Sequence, residues 1–251
     1  MFLLGAAVMG AMAIYAAAKP RFLYGHLTPE PPTERPLQDL ARLARHWPVY
    51  PALTIWFLWS FAPGSGTALQ FHMQNTLHAT DAQWGAWNAI FAAAFIPTYL
   101  VYGMFCRRFS ARTLLIWTTA VGIPQMVPLY FVQSVDQALW GAAIIGLTGG
   151  ACSGAFIDLL IRSAPKGLQG TIMMAAGSLY WLAIRLGDVL GTRLYEQAGG
   201  FAACMVAITV TYACIIPVIM TVPRDLISTR EGEAITLDTE AELAAREGVR
   251  D

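Results

Sequence analysis

Arg185 and Asp188 stand three residues apart inside the apolar run from Thr171 to Tyr195. On a helix that spacing puts them on one face. A charge at bilayer depth costs at least ~2.5–3.5 kcal/mol on insertion scales, so it is paired or faces a wet cavity. Two chemistries follow. Arg185, charged at any working pH, can hold an anionic substrate or a protonatable partner, with Asp188 balancing its charge. Alternatively, the two satisfy each other and fix the packing of their helix. Trp59 and Trp181 also lie deep in apolar runs. An indole there either stacks on a planar ligand or packs in the core. Arg185, Asp188, Trp59 and Trp181 are therefore the candidate substrate- or proton-binding residues.

A second group sits at the edges of apolar runs. Asp158 and Arg162 are four residues apart, an acid–base pair of helical spacing. Arg107, Arg108 and Arg112 form a short basic turn. These five are the candidate gating residues. His72 and His78, with Gln70, Gln74 and Asn75, make a polar mouth, but two histidines do not make a metal site. The four cysteines, Cys106, Cys152, Cys204 and Cys214, lie in or beside apolar runs and have no metal-ligand spacing. No nucleophile elbow, phosphate-binding glycine loop or His-Glu-x-x-His motif occurs. The expectation is a protein that is not an enzyme and needs neither cofactor nor metal.

The elements that must position these residues are membrane spans. Hydrophobic residues make up 56% of the chain and charged ones 13%, about half the charged share of a soluble domain. With net charge zero, no nucleic-acid partner is indicated. Seven runs approach the length a spanning helix needs: Phe2 to Ala18, Val49 to Phe71, Gln83 to Phe105, Thr113 to Val132, Gln137 to Ile161, Thr171 to Tyr195 and Phe201 to Val222. Fourteen of the sixteen Lys and Arg fall on one side if the first connection is cytoplasmic, the exceptions being Arg185 and Arg193. The positive-inside rule then puts the N-terminus outside and the C-terminus in the cytosol. Met1 to Ala18 is read as a span rather than a cleaved signal, because its positive charges follow the apolar run.

The organisation follows from those runs: a first span at 1–18, a cytoplasmic linker at 19–48, six spans at 49–222 and a soluble tail at 223–251. Pro29, Pro31, Pro32 and Pro36 make the linker's first part extended. Leu37, Leu40, Leu43, Ala44 and Trp47 then recur at helical spacing, which predicts an amphipathic helix at the membrane surface. Residues 224–251 carry eight acidic and four basic side chains, and Glu240 to Glu247 is expected to be helical. Pro97, Pro124 and Pro128 predict kinks in the third and fourth spans. Pro63, Gly64, Ser65 and Gly66 interrupt the second span, and Gly146, Gly149, Gly150 and Gly154 thin the fifth. Such small residues either let helices approach closely or line a substrate site in matching positions of two repeats. The six spans divide into three plus three, and a short basic turn follows the third span and precedes the sixth.

Three stretches carry a resemblance. Trp59-Ser60-Phe61-Ala62-Pro63-Gly64-Ser65-Gly66-Thr67 is similar to the Trp, Ser-Pro and Gly-rich segment that opens the C-terminal half of major facilitator superfamily transporters. Gly103-Met104-Phe105-Cys106-Arg107-Arg108-Phe109-Ser110-Ala111-Arg112 looks like the superfamily's signature loop. Ala164-Pro165-Lys166-Gly167-Leu168-Gln169-Gly170-Thr171, followed by Ser178, Gly187 and Gly191, is the most specific of the three. The folate–biopterin transporter type is the subgroup resembled, over Val49 to Val222. The resemblance implies that Met1 to Ala18 is the family's sixth span and that a preceding half is missing. The chain departs from the pattern at Arg107, where the family has Asp, and at Ser110, where it has Gly. Arg185 and Asp188 occupy a span that usually holds small and polar residues.

The resemblance implies an all-α polytopic bundle, integral to a bacterial inner membrane. The resemblance further implies that it would move a small solute by alternating access, together with a missing N-terminal half or a second copy. Arg107, Arg108 and Arg112 would steady its cytoplasmic face. A different class stays open. Some major-facilitator-like proteins serve pigment–protein assembly without transporting anything, and a lone half suits such a scaffold.

Overall fold

The computed structural model describes residues 36–165 and 167–228, with residues 10, 11, 14, 15 and 18. The chain divides into two compact units, Met1–Leu37 and Gln38–Asp251. In the first unit residues 10, 11, 14, 15 and 18 are helical. The rest of the expected first span, the proline-rich stretch before Pro36, Lys166 and the tail beyond Ser228 with its expected helix lie outside the described residues.

The described residues of the second unit form helices joined by short turns, with no strand among them. The amphipathic helix of the linker is α1, Pro36–Arg45. Leu43 is buried against the bundle while Trp47, just beyond the helix, is 58% exposed. Tyr50 donates its hydroxyl to the Ala44 carbonyl and stacks obliquely on Trp47, which closes α1 onto the next helix.

The expected second span is not one helix. It is α2, Val49–Ser60, and α3, Thr67–Asn75, separated by the irregular residues 61–66. Glycine is required at Gly64, whose φ is +101°. The third span is α4, Asp81–Cys106, which runs unbroken through Pro97. The fourth is α5, Ala111–Gly122, followed by a 3₁₀ turn at Val127–Phe131. Here the prolines do more than kink: Pro124 and Pro128 lack the amides a continuing helix needs. The fifth and sixth spans are α6, Val135–Ser163, and α7, Gln169–Gln197. The seventh is α8, Gly200–Ala213, with α9, Ile215–Thr221, and the short α10, Arg224–Ile227, follows.

Side-chain caps start three of the spans. Thr80 and Gln83 form a reciprocal capping box at α4. Ser110 Oγ accepts the Thr113 amide at α5, and Ser134 Oγ the Gln137 amide at α6. Five helical stretches are long and apolar enough to cross a membrane: Asp81–Cys106, Ala111–Phe131, Val135–Ser163, Gln169–Gln197 and Gly200–Thr221. The second span completes the set only by adding α2 to α3.

Helix α6 is the centre of the bundle, with 61% of its apolar window buried, and α4 is its rim, with 6%. Two parallel pairings organise the rest. Gly146, Gly150 and Gly154 of α6 lie against Phe91 and Ala94, Thr98, and Tyr102 of α4. Gly187 and Gly191 of α7 lie against the backbone of Ala62 and Gly64 in the break of the second span. In both cases the absence of a Cβ brings two backbones together.

Candidate functional site

The break at 61–66 is packed on two sides. Gly191 of α7 touches the backbone of Gly64, and Cys204 of α8 lies against Gly64 from another direction. The Cys204 thiol is fully buried and donates to the Gly191 carbonyl at 3.3 Å. Helix α3 then begins with no side-chain cap of its own, which leaves its first amides without local partners. Asp188 supplies one from another helix: the Thr67 amide donates to Asp188 Oδ1 at 3.2 Å. A Cβ on Gly66 would collide with that carboxylate.

This corrects the pairing read from spacing. Arg185 and Asp188 are three residues apart on α7, yet no ion pair joins them. Asp188 is half-buried and turned to the broken span, whereas Arg185 is exposed. The physical reason is competition. A carboxylate oxygen at the start of a helix meets an amide already desolvated and aligned with the helix dipole, while Arg185 pays side-chain entropy to fold back on a neighbour. Arg185 is therefore a cation in mid-span without a carboxylate among the described residues. It shares the exposed side of α7 with Ser178 and with Trp181, which is 61% exposed. Trp181 contacts Tyr180 edge-on, their centroids 5.5 Å apart.

Trp59 does not share that face. Its ring stacks on Tyr212 at 4.6 Å and meets Phe156 edge-on, and its Nε1 donates to Ser153 Oγ at 3.1 Å. It is the aromatic centre of an interior polar cluster. Thr148 Oγ1 donates to Gln125 Oε1 at 2.8 Å, and the Cys152 thiol donates to the Thr118 carbonyl at 3.0 Å. Sequence reasoning missed Gln125, Thr148, Ser153 and Tyr212. Gln125 carried a signal, as an amide between two prolines in an apolar span.

The expected gating residues separate into two groups. Arg162 Nε donates to both oxygens of Asp158, at 2.9 and 3.0 Å. Asp158 borders a crevice of about 230 Å³ between α4 and α6, lined also by Tyr99, Tyr102 and Gly154. Arg107, Arg108 and Arg112 lie exposed around the turn from α4 to α5, and none forms an ion pair among the described residues. His72, expected in an open polar mouth, is instead stacked face to face on Phe201 of α8 at 4.0 Å. No cluster of metal-binding side chains occurs among the described residues.

Stacked apolar helices of membrane length, paired through small residues around a polar interior, define a polytopic helical membrane protein of transporter type. The chain belongs to the major facilitator superfamily: that family's model matches residues 1–187, three-quarters of the sequence and all of α1 to α6. No curated protein matches the chain. It is thus an integral membrane protein of a superfamily of transporters.

Proposed function

We propose that residues 49–222 form one bundle of a secondary transporter that moves a small solute by alternating access. Arg185 carries this reading. A guanidinium exposed at mid-span cannot remain against hydrocarbon, so that side of α7 faces an aqueous path or a second bundle. Arg185 and Trp181 then contact the solute, Trp59 shapes the wall behind them, and Asp158 with Arg162, together with Arg107, Arg108 and Arg112, govern the ends of the path. The pairing of the second span with the sixth, and of the third with the fifth, is what two inverted three-span repeats produce. It supports placing the bundle as the C-terminal half of the fold, of the folate–biopterin type, completed by an N-terminal half or a second copy.

The orientation proposed is N-terminus outside and C-terminus cytoplasmic in a bacterial inner membrane. Accessibility mapping is expected to find Ser110 and Gly167 in the cytosol and Thr80, Asp136 and Gly199 outside; Ser110 and Asp136 on one side would end the model. The transport reading is tested by uptake of labelled pterins, nucleosides, peptides and organic anions into proteoliposomes holding the complete assembly. Uptake of one class that is abolished by Arg185→Ala supports it; the absence of uptake across all four classes argues for the scaffold instead.

A further inference from the structure

The carboxylate of Asp188 has a use distinct from that of Arg185. It reaches across to the broken span and accepts the amide that opens α3, over a sequence separation of 121 residues. Around that bond the packing leaves no slack. Gly66 has no room for a Cβ beside the carboxylate, Gly64 is held between Gly191 and Cys204, and Gly187 touches Ala62. An acceptor that is charged and placed at a helix N-terminus holds more strongly than a neutral one. We propose that Asp188 is a positioning residue: it locks the start of α3, and with it the break at 61–66, onto α7, so that solute contact on this helix belongs to Arg185 and not to Asp188. The division of roles rests on the transport reading, whereas the lock itself rests on geometry alone.

Cys204 makes the lock measurable without a solute. Its thiol is fully buried under Gly64, so it reacts with a reagent only when the break lifts from α7 and α8. The experiment is the labelling rate of Cys204 by N-ethylmaleimide in the membrane-inserted full chain, with peptide mass spectrometry separating it from the other three cysteines. Asp188→Ala is expected to speed labelling about fivefold, the factor that losing one helix cap produces. Asp188→Asn, which keeps an acceptor oxygen in place, is expected to restore at least half of the protection. Gly66→Ala, which pushes the carboxylate away while leaving Asp188 in the chain, is expected to match Asp188→Ala, and the double variant to be no faster than either. Should Asp188→Ala fail to insert, Gly66→Ala alone decides. Unchanged labelling in the inserted single variants overturns the proposal. Labelling is read with or without uptake, so an inactive wild type with a responsive Cys204 sinks the transport reading and leaves the lock standing.

Discussion

The α4–α6 interface and the one between the second span and α7 use the same device to different ends. On both, glycines one turn apart bring two parallel backbones into contact. At α4–α6 both helices are continuous, and the Thr98 hydroxyl at the seam bonds backbone carbonyls of both helices, Ala94 at 2.9 Å and Leu147 at 3.3 Å. Apart from the amide that Pro97 lacks, the backbone there is regular helix, and the contact needs no carboxylate until its end at Asp158. At α7 the facing span is broken. The break opens amides that no local residue covers, and a carboxylate from α7 covers one of them. Close packing alone makes a rigid seam. Close packing against an interrupted helix makes a seam that depends on a charge, and it leaves the neighbouring arginine exposed.

The largest expected effect tests that last consequence. Arg185→Ala is expected to lower uptake at least about tenfold, the scale of one hydrogen bond to a charged group, with membrane-inserted protein unchanged. Because Asp188 is bound to Thr67, adding Asp188→Ala should not restore uptake. Near-normal uptake by the double variant would remove Arg185 from the site. The next pair asks whether the two seams are equivalent. Gly146→Ala drives a methyl into the Phe91 carbonyl and Ala94, and Gly191→Ala drives one into the Gly64 backbone. Each is expected to cost about 1–3 kcal/mol in detergent unfolding experiments, but only Gly191→Ala should expose Cys204. If Gly146→Ala exposes Cys204 equally, the seams are one cooperative unit and the contrast fails.

Smaller effects sharpen the contrast. Thr98→Val removes the hydroxyl that joins α4 to α6, and Trp59→Phe removes the bond to Ser153 while keeping the stack on Tyr212. Each should destabilise by about 1 kcal/mol, the net value of one hydrogen bond, measured by the same unfolding. The smallest expected effect has the opposite sign. A Cβ on Gly177 meets nothing within 4 Å, so Gly177→Ala should stabilise by up to about 1 kcal/mol through helix propensity. A loss there in detergent would show that Gly177 packs against a second bundle even after extraction.

What was legible in the sequence follows the range of the physics involved. The spans are set by hydropathy, and α4, α6 and α7 extend each expected run by only one or two residues at either end. Caps such as Thr80 with Gln83 are local and readable from spacing. The positions of Gly146, Gly150, Gly187 and Gly191 were visible as small residues, but their partners depend on which spans meet. Asp188 shows the limit most clearly: the i,i+3 rule offered Arg185, and tertiary packing brought a better partner from 121 residues away. Trp59 was read as a possible ligand platform because depth in a run does not say which way an indole faces. The cluster of Gln125, Thr148, Ser153 and Tyr212 draws on the fourth, fifth and seventh spans, so no single window contained it.

The division of the second span into α2 and α3 also bears on how the chain is made. Twelve and nine residues are each too short to cross hydrocarbon by themselves. The amide at the start of α3 waits for Asp188, which leaves the ribosome only after three further spans and part of a fourth have been synthesised. A nascent chain that has emerged as far as α6 therefore holds a second span with its interruption unmet, while the α4–α6 seam can already close. The order of synthesis thus gives the two seams different histories: the α4–α6 contact is available first, and the break of the second span is met only when α7 has been made.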